Sequence, residues 1–183
     1  MLFAAVPAPS ENPTPPAPLA ALPRELRALI EGPAIMHLGT RGPDLAPASV
    51  LAFGLRDHGD DRQVTVFVPA KLAALPLAHL RDNGQMALSV IRPTNNHAIQ
   101  LKGLWLGERR TDDSDRAFVE RYRELVTREM GLVGVPRSVW RRIAWWPAVA
   151  LLMDVREVFV QTPGPGAGRL CRAGGQEDAP PAP

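Results

Sequence analysis

Six short apolar runs, each bounded by Gly, Pro, Asn or Asp, constrain this chain more than any other feature. They span residues 34–40 (AIMHLGT), 47–55 (PASVLAFGL), 63–68 (QVTVFV), 85–91 (QMALSVI), 98–108 (AIQLKGLWLGE) and 148–160 (AVALLMDVREVFV). Their length and their share of β-branched residues read as strands. The connectors RGPDLA and RDHGDDR carry the Gly and Asp that turns use. Gly103 and Gly107 inside the fifth run predict a bend or bulge.

One helical segment precedes them and three fall between them. In residues 22–30, Leu22, Leu26, Leu29 and Ile30 share one face, Pro23 fits the first turn and Gly32 closes the segment. Residues 71–82 (KLAALPLAHLRD) are Leu- and Ala-rich but split by Pro76, and Asn83-Gly84 stops them. Thr111-Asp112-Asp113-Ser114 offers a cap with acidic first-turn residues for a helix over 115–130. That helix carries Phe118, Tyr122, Leu125 and Val126 on one side and is expected to end at Gly131. Pro136 opens another over 137–145. Six strands with so few helices to cover them imply an antiparallel sheet that closes on itself. The expected class is α+β, mainly β: a six-stranded antiparallel split β-barrel with flanking helices. Residues 1–19, rich in Pro and Ala, read as a disordered arm, 20–168 as the folded domain and 169–183 as a disordered tail.

Composition removes several classes. The 183 residues suit one domain, and a net charge of +2 gives no general attraction to nucleic acid. A single cysteine, Cys171, allows no internal disulfide and no cysteine metal site, and fits a reducing cytoplasm. No apolar run approaches the roughly 20 residues of a membrane helix, and the first residues lack a basic region before their apolar stretch. A cytoplasmic location away from membranes is therefore expected. His37, His58, His79 and His97 have no metal-ligand spacing, and no Ser-His-Asp order or Glu-x-x-His box occurs.

A few residues carry chemistry. Lys71 stands just before a helix start, where unpaired N–H groups and an ammonium together favour an anion; the alternative is a solvated lysine. Gln100 and Lys102 alternate with Ile99 and Leu101 and so share a face, either solvated or the polar wall of a ligand site. Ser49 bonds a ligand or faces water. Trp140, Trp145 and Trp146 with Arg137, Arg141 and Arg142 form an aromatic and basic cluster. It packs a helix against the barrel or a partner subunit, recognises an acidic ligand, or meets a membrane surface.

Three passages in this order resemble the FMN-binding split barrels related to pyridoxamine 5′-phosphate oxidase. GPAIMHLGTRGPDLAPASVLAFGL is similar to the family's opening hairpin. VTVFVPAKLAALPLAHLRDNGQMALSV resembles its strand, ligand loop, helix and strand. HAIQLKGLWLGE resembles its fifth strand. Beyond these three, VREVFVQTPGPGAG also resembles the ending of a bacterial subgroup. The resemblance implies a homodimer with FMN at the subunit interface, acting as a flavin-dependent oxidoreductase on a small-molecule substrate. It also leaves room for a non-catalytic flavin carrier or sensor, for the deazaflavin F420, and for haem held by His79 or His97.

Carried over, the resemblance places Ser49 and Leu51 on the ring-contacting second strand. It sets Val68 and Ala70 where backbone groups face the ring edge, Lys71 at the phosphate loop, and Gln100 and Lys102 as polar contacts on the fifth strand. The chain reads PASVLAFG and PAKLA where the oxidase has an Arg-rich strand and a Ser-Arg-Lys loop, and His97-Ala98 where it has Arg-Gln. This points away from pyridoxamine phosphate as the substrate.

Overall fold

A computed structural model describes residues 24–58 and 62–171. Leu22, Pro23, the expected arm over 1–19 and residues 172–183 of the expected tail lie outside the described residues. The chain order is α1 (Arg24–Glu31), β1 (Ile35–Arg41), β2 (Pro47–Ala52), β3 (Leu55–Asp57), β4 (Gln63–Pro69), a 3₁₀ turn (Ala70–Leu72), α2 (Ala74–Asn83), β5 (Gln85–Ile91), β6 (Ala98–Arg110), α3 (Asp113–Leu132), α4 (Arg137–Arg141) and β7 (Ala148–Val160).

The strands form one antiparallel sheet in the order β2-β1-β5-β6-β7-β4-β3. This is the mainly β fold with flanking helices that the sequence predicts, with two corrections. There are seven strands rather than six, because the run over 47–55 breaks into β2 and β3 at Phe53-Gly54. Gly54 has φ of 111°, and a Cβ there would lie 2.8 Å from the Phe118 ring, so neither strand backbone nor a side chain fits. The ladder also does not close, since β2 and β3 are its two edges. They are nevertheless consecutive in the chain, and the link is pinned to β4: Phe53 N–H donates to the Phe67 carbonyl at 2.7 Å and Phe67 N–H to that of Gly54 at 3.1 Å. The split in the barrel is therefore bridged by chain.

Period-two alternation sets the core. Met36 and Leu38 on β1, Leu88 and Val90 on β5, Ile99 and Leu101 on β6 and Val158 on β7 point inward and are buried. β4 is buried on both faces, because α3 covers its outer side and sets Phe118 5.5 Å from Phe67. Leu26, Leu29 and Ile30 bury the expected face of α1. Register shifts in β6 at Lys102/Gly103 and Trp105/Gly107 fall on the expected glycines. At Gly103 a Cβ would collide with the carbonyl of Asp154, so close strand approach excludes any side chain.

Helix ends differ from expectation where local chemistry has alternatives. The segment expected over 71–82 is a 3₁₀ turn followed by α2, with Pro76 in the first helical turn, where its missing N–H is no loss. α2 ends as expected at Gly84, with φ of 67°. α3 begins earlier, capped by Asp112 in a capping box with Asp115, and runs through Gly131 to Leu132. α4 stops at Arg141, and the chain then leads to a cis bond between Trp146 and Pro147. Beyond β7 the Gly/Pro-rich segment folds back, so that Val160 N–H donates to the Arg169 carbonyl and Cys171 N–H to that of Val158. No helix among the described residues is long and apolar enough to cross a membrane.

Candidate functional site

The register of four adjacent strand pairs builds one face outside the core. Ser49 on β2 lies opposite Gly39 on β1, Gly39 opposite Ala87 on β5, Ala87 opposite Lys102 on β6, and Lys102 opposite Glu157 on β7. Two residues along each strand, the same face carries a second row: Leu51, His37, Ser89, Gln100 and Phe159. Ser49, His37, Ser89 and Lys102 are exposed, while Leu51, Gln100 and Phe159 are half-buried. The structure thus brings Ser49, Leu51, Gln100 and Lys102 together on one surface, and confirms that Gln100 and Lys102 face away from buried Ile99 and Leu101.

The first row floors an open basin of about 620 Å³. Its floor is unusually bare. A Cβ built on Gly39 would meet nothing closer than the Ala87 carbonyl, at 3.8 Å, so a side chain there would stand in open space. Ala87 adds only a methyl group, and Gly103 adds nothing. The rim carries Arg41, Lys102 and Arg156 against Glu157. Arg156 pairs with Asp154 at 2.6 Å, and Arg41 Nε donates to the Gln85 side chain at 3.3 Å. Lys102 Nζ sits 4.6 Å over the Phe159 ring, a contact that orients the ammonium without neutralising it. A flat, anionic molecule fits this donor set: the small residues admit a ring against the sheet, and the cations meet its charge.

The other expected contacts lie elsewhere. Val68 is fully buried on β4 opposite Val149. Ala70 is half-exposed, with its N–H donated to the Pro147 carbonyl at 2.8 Å. Lys71 is exposed in the 3₁₀ turn before α2, whose first turn has no side-chain cap. None of the three lines the basin. Val149 and Ala148, the β7 partners of Val68 and Pro69, instead line a separate cleft of about 590 Å³ together with Arg109, Arg110 and Leu77.

The histidines separate by burial. His79 is buried, and its Nδ1 is 3.1 Å from Thr40 Oγ1, so it acts as a packed structural group. Thr40 is an inward residue of β1. His97 is exposed, with its backbone N–H tied to Asn95 Oδ1. His37 stands on the basin face, which its strand phase relative to Gly39 would have indicated. Among the described residues no group of His, Cys, Asp and Glu could hold a metal ion. Gly39 and Arg41 are the main site residues that sequence reasoning missed.

No family model matches the sequence, and no curated protein does either. Solved structures do match. A candidate pyridoxamine 5′-phosphate oxidase from Lactobacillus delbrueckii is 12% identical, over 77% of this chain and 95% of its own, with a TM-score of 0.50. A protein from Clostridium acetobutylicum, related to general stress protein 26 of the pyridoxinephosphate oxidase family, is 14% identical, over 81% and 92%, with a TM-score of 0.51. At these identities the likeness establishes the fold: this chain has the split-barrel architecture of pyridoxamine 5′-phosphate oxidase-like proteins.

Proposed function

We propose that this chain binds FMN on the face built by β2, β1, β5 and β6, does so as a homodimer, and serves as a flavin-dependent oxidoreductase for a small-molecule substrate. The observation that carries this reading is the in-register row Ser49–Gly39–Ala87–Lys102, a flat floor with cations at its rim. Lys102 and Arg41 would hold the anionic part of the cofactor, Ser49 and Gln100 would hydrogen-bond polar ring edges, and Leu51 would pack on its apolar portion. Bound flavin would supply the redox chemistry, and this chain's residues would bind, orient and shield it.

Two features support a second copy. Leu104 on the basin and Leu106 beyond it are 40% and 47% exposed, a pair of large apolar side chains on a sheet surface. The accessible members of the expected ring-edge and phosphate contacts, Ala70 and Lys71, lie on surface outside the basin. A dimer joining these patches would complete one site from two chains. Sedimentation velocity of the wild type and of Leu104→Glu/Leu106→Glu tests this: the wild type should run as a dimer and the variant as a monomer that releases flavin. A monomeric wild type with unaltered flavin binding would remove the interface from the proposal.

A further inference from the structure

We propose that the cavity between α3 and α4 is a second binding site, for a small, soluble, multiply charged phosphate. The cavity, of about 350 Å³, is lined by Arg123, Glu124, Thr127, Arg128, Arg137 and Arg141. Four arginines thus line one hollow that has a single acidic residue, Glu124. Helical spacing explains the clustering: Arg123 with Thr127, Glu124 with Arg128, and Arg137 with Arg141 are pairs four residues apart, so each pair stacks on one helix face.

Elsewhere in the molecule arginines find carboxylates. Arg56 and Arg109 pair with Asp115, Arg62 and Arg156 with Asp154, Arg81 with Glu108 and Arg92 with Glu129. None of the four cavity arginines forms an ion pair among the described residues. A second observation concerns a residue of the same lining. Arg123 Nε is buried and has no hydrogen-bond acceptor, a state that costs free energy unless a ligand or water supplies one. Its guanidinium lies 5.2 Å over the Trp145 ring, which fixes the plane of its donors. A planar fork held in place, with further guanidinium groups around a concave site, suits the bidentate geometry of phosphate oxygens. The hollow shape and the chain's net charge of only +2 favour a compact ligand over a nucleic-acid backbone. The site shares no lining residue with the basin, so it stands or falls independently of the flavin reading.

The test is calorimetric titration of the full-length protein with inorganic pyrophosphate at low ionic strength. The comparison is with Arg137→Ala/Arg141→Ala, whose side chains are exposed and whose loss leaves the core intact. The wild type should bind saturably, and the variant about tenfold or more weakly at an unchanged melting temperature, while Lys71→Ala and Lys102→Ala bind as the wild type does. Absence of saturable heat overturns the proposal. So does affinity retained in the double variant, or lost in Lys71→Ala or Lys102→Ala instead. Co-sedimentation with phosphatidylglycerol vesicles without pyrophosphate binding also overturns it, assigning the arginines to a membrane surface.

Discussion

Arg109 holds Asp115 through two guanidinium nitrogens, at 2.5 and 2.9 Å, on the two oxygens of a carboxylate that is completely buried. Arg56 reaches the same carboxylate at 2.8 Å, and its guanidinium also lies 4.7 Å over the Phe118 ring. Asp112 N–H donates to it at 3.2 Å, while Asp112 Oδ1 caps Asp115 N–H at 2.9 Å. One side chain thus ties β3, β6 and the start of α3 together. Asp115→Asn removes the charge that both arginines face. It should lower the unfolding free energy by about 3 kcal/mol, the low end for a broken buried pair because both arginines reach solvent. Urea unfolding followed by tryptophan fluorescence measures this.

The same group makes acid stability predictable. Hydrogen bonds from Arg109, outweighing the cost of burial, hold the Asp115 carboxyl below the ordinary carboxylate value. A group with a depressed folded pKa contributes stability that is fully present above its unfolded value, about 4, and that is lost as pH falls through the folded value. Wild-type stability should therefore fall more steeply than that of Asp115→Asn below about pH 4. Parallel slopes in urea midpoints across that range would show that Asp115 is not held in its charged form.

Tyr122 is the only tyrosine in the chain, so tyrosinate absorbance reports one site. Its hydroxyl donates to the Ala34 carbonyl, and burial pushes the phenol far above its ordinary value. Here the folded state resists ionisation while the unfolded chain ionises near pH 10, so stability should fall as pH rises past that point. In an alkaline titration the tyrosinate band should appear only together with loss of native tryptophan fluorescence. A free titration near pH 10 in folded protein would contradict the buried hydrogen bond.

Lys71 carries the expectation for the phosphate loop. Lys71→Ala should weaken FMN binding by about 1.5–3 kcal/mol through loss of a charge-assisted contact, read as a shift in the flavin fluorescence titration midpoint. Unchanged affinity would leave Lys71 as a solvated residue of the 3₁₀ turn.

Much of the fold is legible in the sequence because period and punctuation agree. β7 falls on the expected residues 148–160, since its apolar run is long and bounded by Pro147 and by a Gly/Pro segment. Gly84 and the Gly103 and Gly107 bulges also fall where expected: the backbone of Gly84 and Gly107 has positive φ, and Gly103 meets the Asp154 carbonyl of the neighbouring strand. The break at Phe53-Gly54 is not legible: PASVLAFGL alternates like one strand, and only the approach of Phe118 from a distant helix decides the turn. The basin is half legible. Phase along β6 puts Gln100 and Lys102 on one face, but the row through Gly39 and Ala87 depends on register across four strand pairs, which no local pattern carries. The clustering of arginines between α3 and α4 depends likewise on how two helices meet.

Gly39 gives the most direct test of the account. Its φ is not in the left-handed region, and a Cβ there meets no atom closer than 3.8 Å, so Gly39→Val is compatible with the strand and places its methyl groups in the basin. Titration of FMN into both proteins, followed by quenching of flavin fluorescence, reads the result. The account predicts saturation at one FMN per chain for the wild type and loss of binding in Gly39→Val, with the melting temperature of the protein alone no lower. Equal saturation curves for the two proteins, or no saturation in the wild type, would contradict it.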